Sequence, residues 1–235
     1  MTNIDQSNGK EMSKFSKIIN VFLAPRSTFE SIDRKPDWIV PLLIVVIIAF
    51  VISFLIMPFA LDRQFDMQRA KMQERGMSDE EIENALELGR PIAEKVGPIS
   101  ALVVTAIFLV ILAALLYFLG NIILGGKTTF KKIFSVVTYT SLIGSLGSLV
   151  LLPIMLSKRS VDVHFSLATF MPEKSAETTI YQLLKSIDFF MIWEIIVAGI
   201  GMAVLYRMST KKTTTALAIL YALITLVVIG IKSIL

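Results

Sequence analysis

The chain has 235 residues, of which 54% are hydrophobic and only 18% charged, and its mean hydropathy is +0.71. Soluble domains carry about 25% charged residues, so an ordinary water-soluble globule is excluded and much of the chain must be solvated by something other than water. The absence of cysteine excludes disulfides, thiol catalysis and thiolate metal sites; the net charge of +4 says little by itself, and no nucleic-acid partner is expected.

Residues 1–10 read as disordered. From Glu11 a helix is expected, because Met12, Phe15, Ile18, Ile19 and Phe22 recur at helical spacing with Lys14 and Lys17 elsewhere on the wheel. Such a basic amphipathic helix either lies in the headgroup layer, with Phe15, Lys14 and Lys17 as membrane-surface residues, or packs beneath the spans. Pro25 interrupts it, Ser27 and Glu30 have the spacing of a capping box, and Pro36 ends the following turn. Trp38 then offers an amphipathic ring to the membrane interface. Residues 1–37 form a cytoplasmic segment in this reading, and 38–235 a transmembrane domain.

Five apolar runs are long enough to span a bilayer: Trp38–Leu61, Ile99–Leu124, Ile133–Ser157, Phe189–Tyr206 and Thr215–Leu235. The fold class is therefore all-α and polytopic. The first run is too long for a signal-peptide core and no convincing cleavage site follows it, so it reads as a retained anchor. Between the first two spans, residues 62–98 form a polar outer hairpin of two helices broken at Gly76, the second opened by a Ser78–Glu81 capping box. It is too small to bury a core alone and should dock on the spans, on loop 158–188 or on a partner. Its clustered acids lack the alternating pattern of a calcium loop and read as a solvated helix face. In the second outer loop His164 and Asp162 cannot by themselves make a metal site, and Tyr181, Leu183, Leu184 and Ile187 suggest an amphipathic lead-in to the fourth span.

Orientation rests on charge density. Lys and Arg number 12 on the side of the N-terminus and 11 on the other, but the short loops "GGKTTFKK" and "RMSTKKTT" each hold three cations and no acid. That favours a cytoplasmic N-terminus and an outside C-terminus, in the cell membrane.

"GNIILGGKTT" tempts toward a phosphate loop, but Asn121 stands where the first glycine belongs and the segment ends a transmembrane helix. No nucleophile–base pair surrounds the single histidine, so no catalytic, cofactor or metal site is expected. The third span carries the small residues Ser141, Gly144, Ser145, Gly147 and Ser148 and the fourth Ala198, Gly199, Gly201 and Ala203; among them Gly144/Ser148 and Gly199/Ala203 are small-x-x-x-small pairs for close helix approach. Packing within the chain is the default, and a homo-oligomeric interface the minority reading. Beside Trp193, Glu194 is an acid inside the apolar fourth span, roughly 8 Å below its boundary at 1.5 Å per residue. With no Lys or Arg at its depth, it reads first as a carboxyl tying helices together through hydroxyls, with Ser53, Thr105, Ser148 and Thr225 at matching depth. The functional alternative is a polar contact for substrate, proton or partner helix.

"FLAPRSTFESIDRKPDWIVPLL", "LGGKTTFKKIFSVVTYTSL" and "IDFFMIWEIIVAGIGMAVLYRMSTKKTTTALAILYALI", in that order, resemble the bacterial branch of the Yip (Ypt-interacting protein) domain family of five-span membrane proteins. The resemblance implies five helices and a cytoplasmic N-terminus. The DLYGP-type motif of eukaryotic trafficking relatives is missing, so their role with small GTPases does not carry over. Some bacterial members look like accessory subunits of ABC-class exporters, including systems that expel antimicrobial peptides. The function expected is thus a non-enzymatic accessory protein in the lipid bilayer, with ABC transporter subunits as partner. A small transporter or channel using Glu194 is the alternative.

Overall fold

The structure is a computed structural model that describes residues 12–172 and 178–232. Residues 1–10, and the expected helix start at Glu11, lie outside that range. The chain folds as helices α1 (Lys14–Leu23), α2 (Pro25–Arg34), α3 (Ile39–Glu74), α4 (Asp79–Phe118), α5 (Phe130–Lys158), α6 (Thr179–Ser186), α7 (Phe189–Tyr206) and α8 (Thr210–Lys232). Five stretches, carried by α3, α4, α5, α7 and α8, are long and apolar enough to cross a membrane. The fifth starts earlier than the hydropathy suggests. Thr210–Thr214 are already helical because the buried Thr213 hydroxyl donates to the Gly199 carbonyl at 2.7 Å, drawing this polar turn against α7.

Local chemistry sets the breaks. Ser13 caps α1 through the Ser16 amide, and Pro25 sits at the first position of α2, where its missing N–H costs nothing. The expected Ser27–Glu30 capping box does not form. Ser27 is already inside α2 and donates to the Ala24 carbonyl, while Glu30 pairs with Arg26 one turn away. The Ser78–Glu81 box does form, its carboxylate accepting from the Ser78 amide at 2.8 Å. Those hydrogen bonds hold the Glu81 carboxyl below the usual range. Before it, Gly76 takes the left-handed conformation (φ 77°) that turns α3 into α4.

The outer hairpin is the continuation of the spans rather than a separate insertion. At 1.5 Å per residue the 36 residues of α3 reach about 54 Å, well beyond a hydrocarbon core of about 30 Å. Ion pairs Arg69–Glu83 (2.6 Å) and Arg90–Asp62 stitch its legs together, and Arg63–Asp162 ties it to the second outer loop.

In the bundle α5 packs on α3, α4 and α7, while α7 also packs on α2 and α8. The tightest core lies at the end of the bundle that carries α1 and α2. Every residue of α5 from Ile133 to Thr140 is buried, together with Val21, Phe29, Ile32 and Met202. Ser135, Thr138 and Thr140 are tolerated there because each hydroxyl donates to a carbonyl of its own helix. Lys17 departs from the membrane-surface expectation. Only 3% exposed, it points inward to Asp37 at 3.1 Å, and Asp37 also accepts from the Tyr139 hydroxyl at 3.3 Å. The half-buried Asp37 carboxylate supplies the countercharge that lets an ammonium leave the surface. Lys14 and Phe15 remain exposed, Phe15 in line with exposed Ile19 and Leu23. Trp38 turns inward onto Phe134 (5.2 Å between rings) instead of out to the headgroups, because the buried face of α5 offers it an aromatic partner.

The stretch that suggested a phosphate loop is shaped by sterics. Gly120 and Gly126 lie against the Tyr206 ring, where an added Cβ would overlap it, so the glycines are clearance for an aromatic side chain.

Candidate functional site

α5 and α7 are staggered. Phe190, in the first turn of α7, lies against Gly147 of α5, where a Cβ would press on the ring. α5 therefore runs about ten residues, roughly 15 Å, farther outward than α7 begins. The second outer loop fills the space above α7. α6 packs on α8, and Tyr221, midway along α8, donates to the Ser186 carbonyl at 2.7 Å. This loop has its own internal order. His164 contacts the Tyr181 hydroxyl through Nε2 (3.1 Å) and the Ser166 hydroxyl through Nδ1 (2.9 Å). Burial, with help from the Lys185 charge, pushes its pKa below the ordinary value. The described residues hold no cluster of three His, Asp or Glu arranged for a metal ion.

The stagger sets the partner of Glu194. Its Oε1 accepts a hydrogen bond from Ser141 at 3.2 Å, and Ser141 stands near the middle of α5, so the carboxyl lies level with the middle of that helix although it is only about one and a half turns into α7. None of Ser53, Thr105, Ser148 or Thr225 is its bonded partner; the choice by equal depth fails because α7 starts lower than α5 ends. Oε2 occupies the space that Gly144 leaves empty, 3.0 Å from where a Cβ would be. A cavity of about 310 Å³ rises from this carboxyl to the outer end. Gly144, Ser148 and Leu151 form one wall, Phe190 and Met191 another, and Tyr221 a third, with Lys185, Ser186 and Asp188 at the mouth.

The remaining candidates serve other contacts. Trp193 faces the N-terminal helix, 5.9 Å from Phe22, on a different side of α7 from the cavity. Gly199 and Ala203 are buried, Gly199 so close to α8 that a Cβ would come within 2.8 Å of the Thr214 Cα. Gly144 and Ser148 do not bring two backbones together as a pair. Ser148 is exposed at the cavity and donates to the Gly144 carbonyl, because the stagger opens a gap there instead of closing it. Sequence reasoning noticed Ser141 only as a small residue and missed Tyr221, Lys185 and Asp188. One signal was available: Ser141, Gly144, Ser145 and Ser148 recur at three and four residues, which places them on one face of α5.

The chain matches the Yip1 domain over residues 19–231. It belongs to the Yip1 domain family. Within that family it is similar to the membrane protein YknW of Bacillus subtilis (strain 168), 27% identical over 225 residues that cover 95% of this chain and 92% of that protein. No solved structure matches it. The family assignment agrees with the resemblance in sequence and with a multi-pass membrane protein; it names no ligand for the cavity.

Proposed function

We propose that this Yip1-family membrane protein is a non-enzymatic accessory subunit that docks on another membrane complex, an ABC-class exporter, with antimicrobial peptides among the candidate cargoes. The observation that carries the docking role is the outer hairpin. A helix needs about 20 residues to span, and α3 and α4 have 36 and 40. The surplus is pinned by two ion pairs between its legs and one to the neighbouring loop, so it is a preorganised surface outside the hydrocarbon. The exporter as partner is carried over from the bacterial members that the sequence resembles. The cell membrane and an N-in, C-out orientation complete the reading, supported by the cation-rich short loops.

Replacing 64–95 with a short Gly/Ser linker tests it. Five inserted spans should remain, while proteins that co-purify with the parent in mild detergent should be lost. Retained association would move the interface into the membrane or onto the N-terminal helix.

A second reading, a small transporter, is favoured by one observation, the cavity that descends to Glu194. Against it, the run Ile133–Thr140 of α5 is wholly buried and its Ser135, Thr138 and Thr140 hydroxyls are spent on carbonyls of their own helix.

A further inference from the structure

The hydroxyl protons around Glu194 are already committed. Ser141 donates to Glu194 Oε1, Ser145 to the Ser141 carbonyl and Ser148 to the Gly144 carbonyl, while the Tyr221 proton goes to Ser186. Beside Glu194 the cavity therefore presents lone pairs, those of the carboxyl, whose Oε2 has no hydrogen-bond donor, and of the Ser148 oxygen. Among the described residues no ion pair reaches Glu194. Lys185 at the mouth turns its ammonium toward Asp162 (3.4 Å), and Asp188 caps α7, its Oδ1 accepting from the Phe190 and Met191 amides. Above the carboxyl the walls are apolar at Leu151, Phe190 and Met191. The volume of about 310 Å³ is at the small end of ligand sites, which run from about 300 to 1,000 Å³.

From this we infer that the cavity between α5, α7 and α8 is a binding site for an alkylammonium group, its N–H donors on Glu194 and Ser148 and its carbon stem against Phe190 and Leu151. Beside Glu194 and Ser148 the lining groups are acceptors, so a donor fits there, while the Lys185 donor stands at the mouth and faces Asp162. A cationic donor suits the site because it gives an ionised Glu194 the ion-pair partner that no neighbouring Lys or Arg supplies. An apolar stem suits the upper walls, which a hydrated metal ion would not use. The ammonium arrives from the outer side on a free amine or on a presented lysine side chain. This site stands apart from the hairpin, so docking can fail without it failing, and the reverse.

The test uses the full-length protein in phosphatidylcholine nanodiscs, with the thermal unfolding midpoint as readout. n-Butylammonium chloride should raise the midpoint saturably, as a ligand of the folded state must. Sodium chloride and tetramethylammonium chloride, which lacks N–H donors, should not do so at equal ionic strength. Glu194→Gln should unfold near the parent midpoint without ligand yet lose the response, and Ser148→Ala should weaken it several-fold. A capped lysine tripeptide separates the two sources: it acts like the amine if the site takes a presented side chain, and has no effect if only a free amine seats. Equal shifts from all three salts, no shift with n-butylammonium, or an unchanged response in Glu194→Gln would each overturn the inference.

Discussion

Glu194 meets Ser141 across two helices, and each is conspicuous for a different reason. An acid in an apolar run is visible to anyone who counts residues; which hydroxyl it reaches depends on the axial offset of α5 and α7, about ten residues here. Changing the carboxyl should separate its hydrogen-bonding role from its charge. Glu194→Gln keeps an acceptor for Ser141 and should be within a few tenths of a kcal/mol of the parent, whereas Glu194→Leu strands the hydroxyl and should lose about 1–2 kcal/mol. Thermal unfolding in detergent distinguishes them, and equal losses would mean that the bond contributes nothing. Arg207 supplies a second residue-scale case. It ends α7 in the left-handed conformation at φ 54°, which disfavours any Cβ by about 1–2 kcal/mol, and its side chain is exposed. Arg207→Gly removes that strain and loses only a screened charge at a helix C-terminus, worth about 0.3–1 kcal/mol. The variant should gain up to about 1 kcal/mol; a net loss would show that the guanidinium makes a contact that outweighs the strain.

At the scale of elements, the second outer loop is held by neutral hydrogen bonds on His164. The Tyr181 hydroxyl, the Ser166 hydroxyl and the Thr169 hydroxyl surround its ring, and Lys185, Asp188 and Asp162 supply the nearby charges. Because the folded-state pKa lies below the ordinary value near 6.5, the folded loop binds fewer protons than an opened one. Its stabilisation is present above pH of about 6.5 and is lost as the pH falls through that value toward the depressed one. Amide exchange in Leu167–Phe170 should therefore accelerate at pH 5 relative to pH 7.5 beyond the intrinsic pH effect, and His164→Gln should abolish the excess. The hairpin turn, by contrast, was legible residue by residue: Gly76, Ser78 and Glu81 act within one turn of chain, where spacing alone decides geometry. The Ser27–Glu30 spacing misled for the same reason in reverse, since Pro25 had already started the helix two residues earlier.

At the scale of the whole molecule, the chain is a Yip1-family multi-pass membrane protein in which the two short cationic loops share the end that carries α1 and α2. Lys132 at the start of α5 pairs with Asp33 of α2 at 2.5 Å, fixing that common end. The orientation proposed for it is directly testable because the parent has no cysteine. Single cysteines at Ser78 and at Phe170, which is 88% exposed, should react with an impermeant thiol reagent on intact cells, and one at Lys127 only after permeabilisation. The opposite pattern would invert the protein in its membrane.

The sequence by itself determined the number of spans, the all-helical class, the breaks at Pro25 and Gly76, and the oddity of Glu194. Each is a property of composition or of a few neighbouring residues. Tertiary structure alone decided that Lys17 is buried on Asp37, that Gly120 and Gly126 clear Tyr206, and that the Ser141 face of α5 borders a cavity. Hydropathy says that a helix lies in lipid but gives little force for sliding one helix along another, since the surrounding chains are as apolar as the helices themselves. The axial offset is set by small residues and scattered hydrogen bonds meeting across helices, and those pairings become visible only when the helices are side by side.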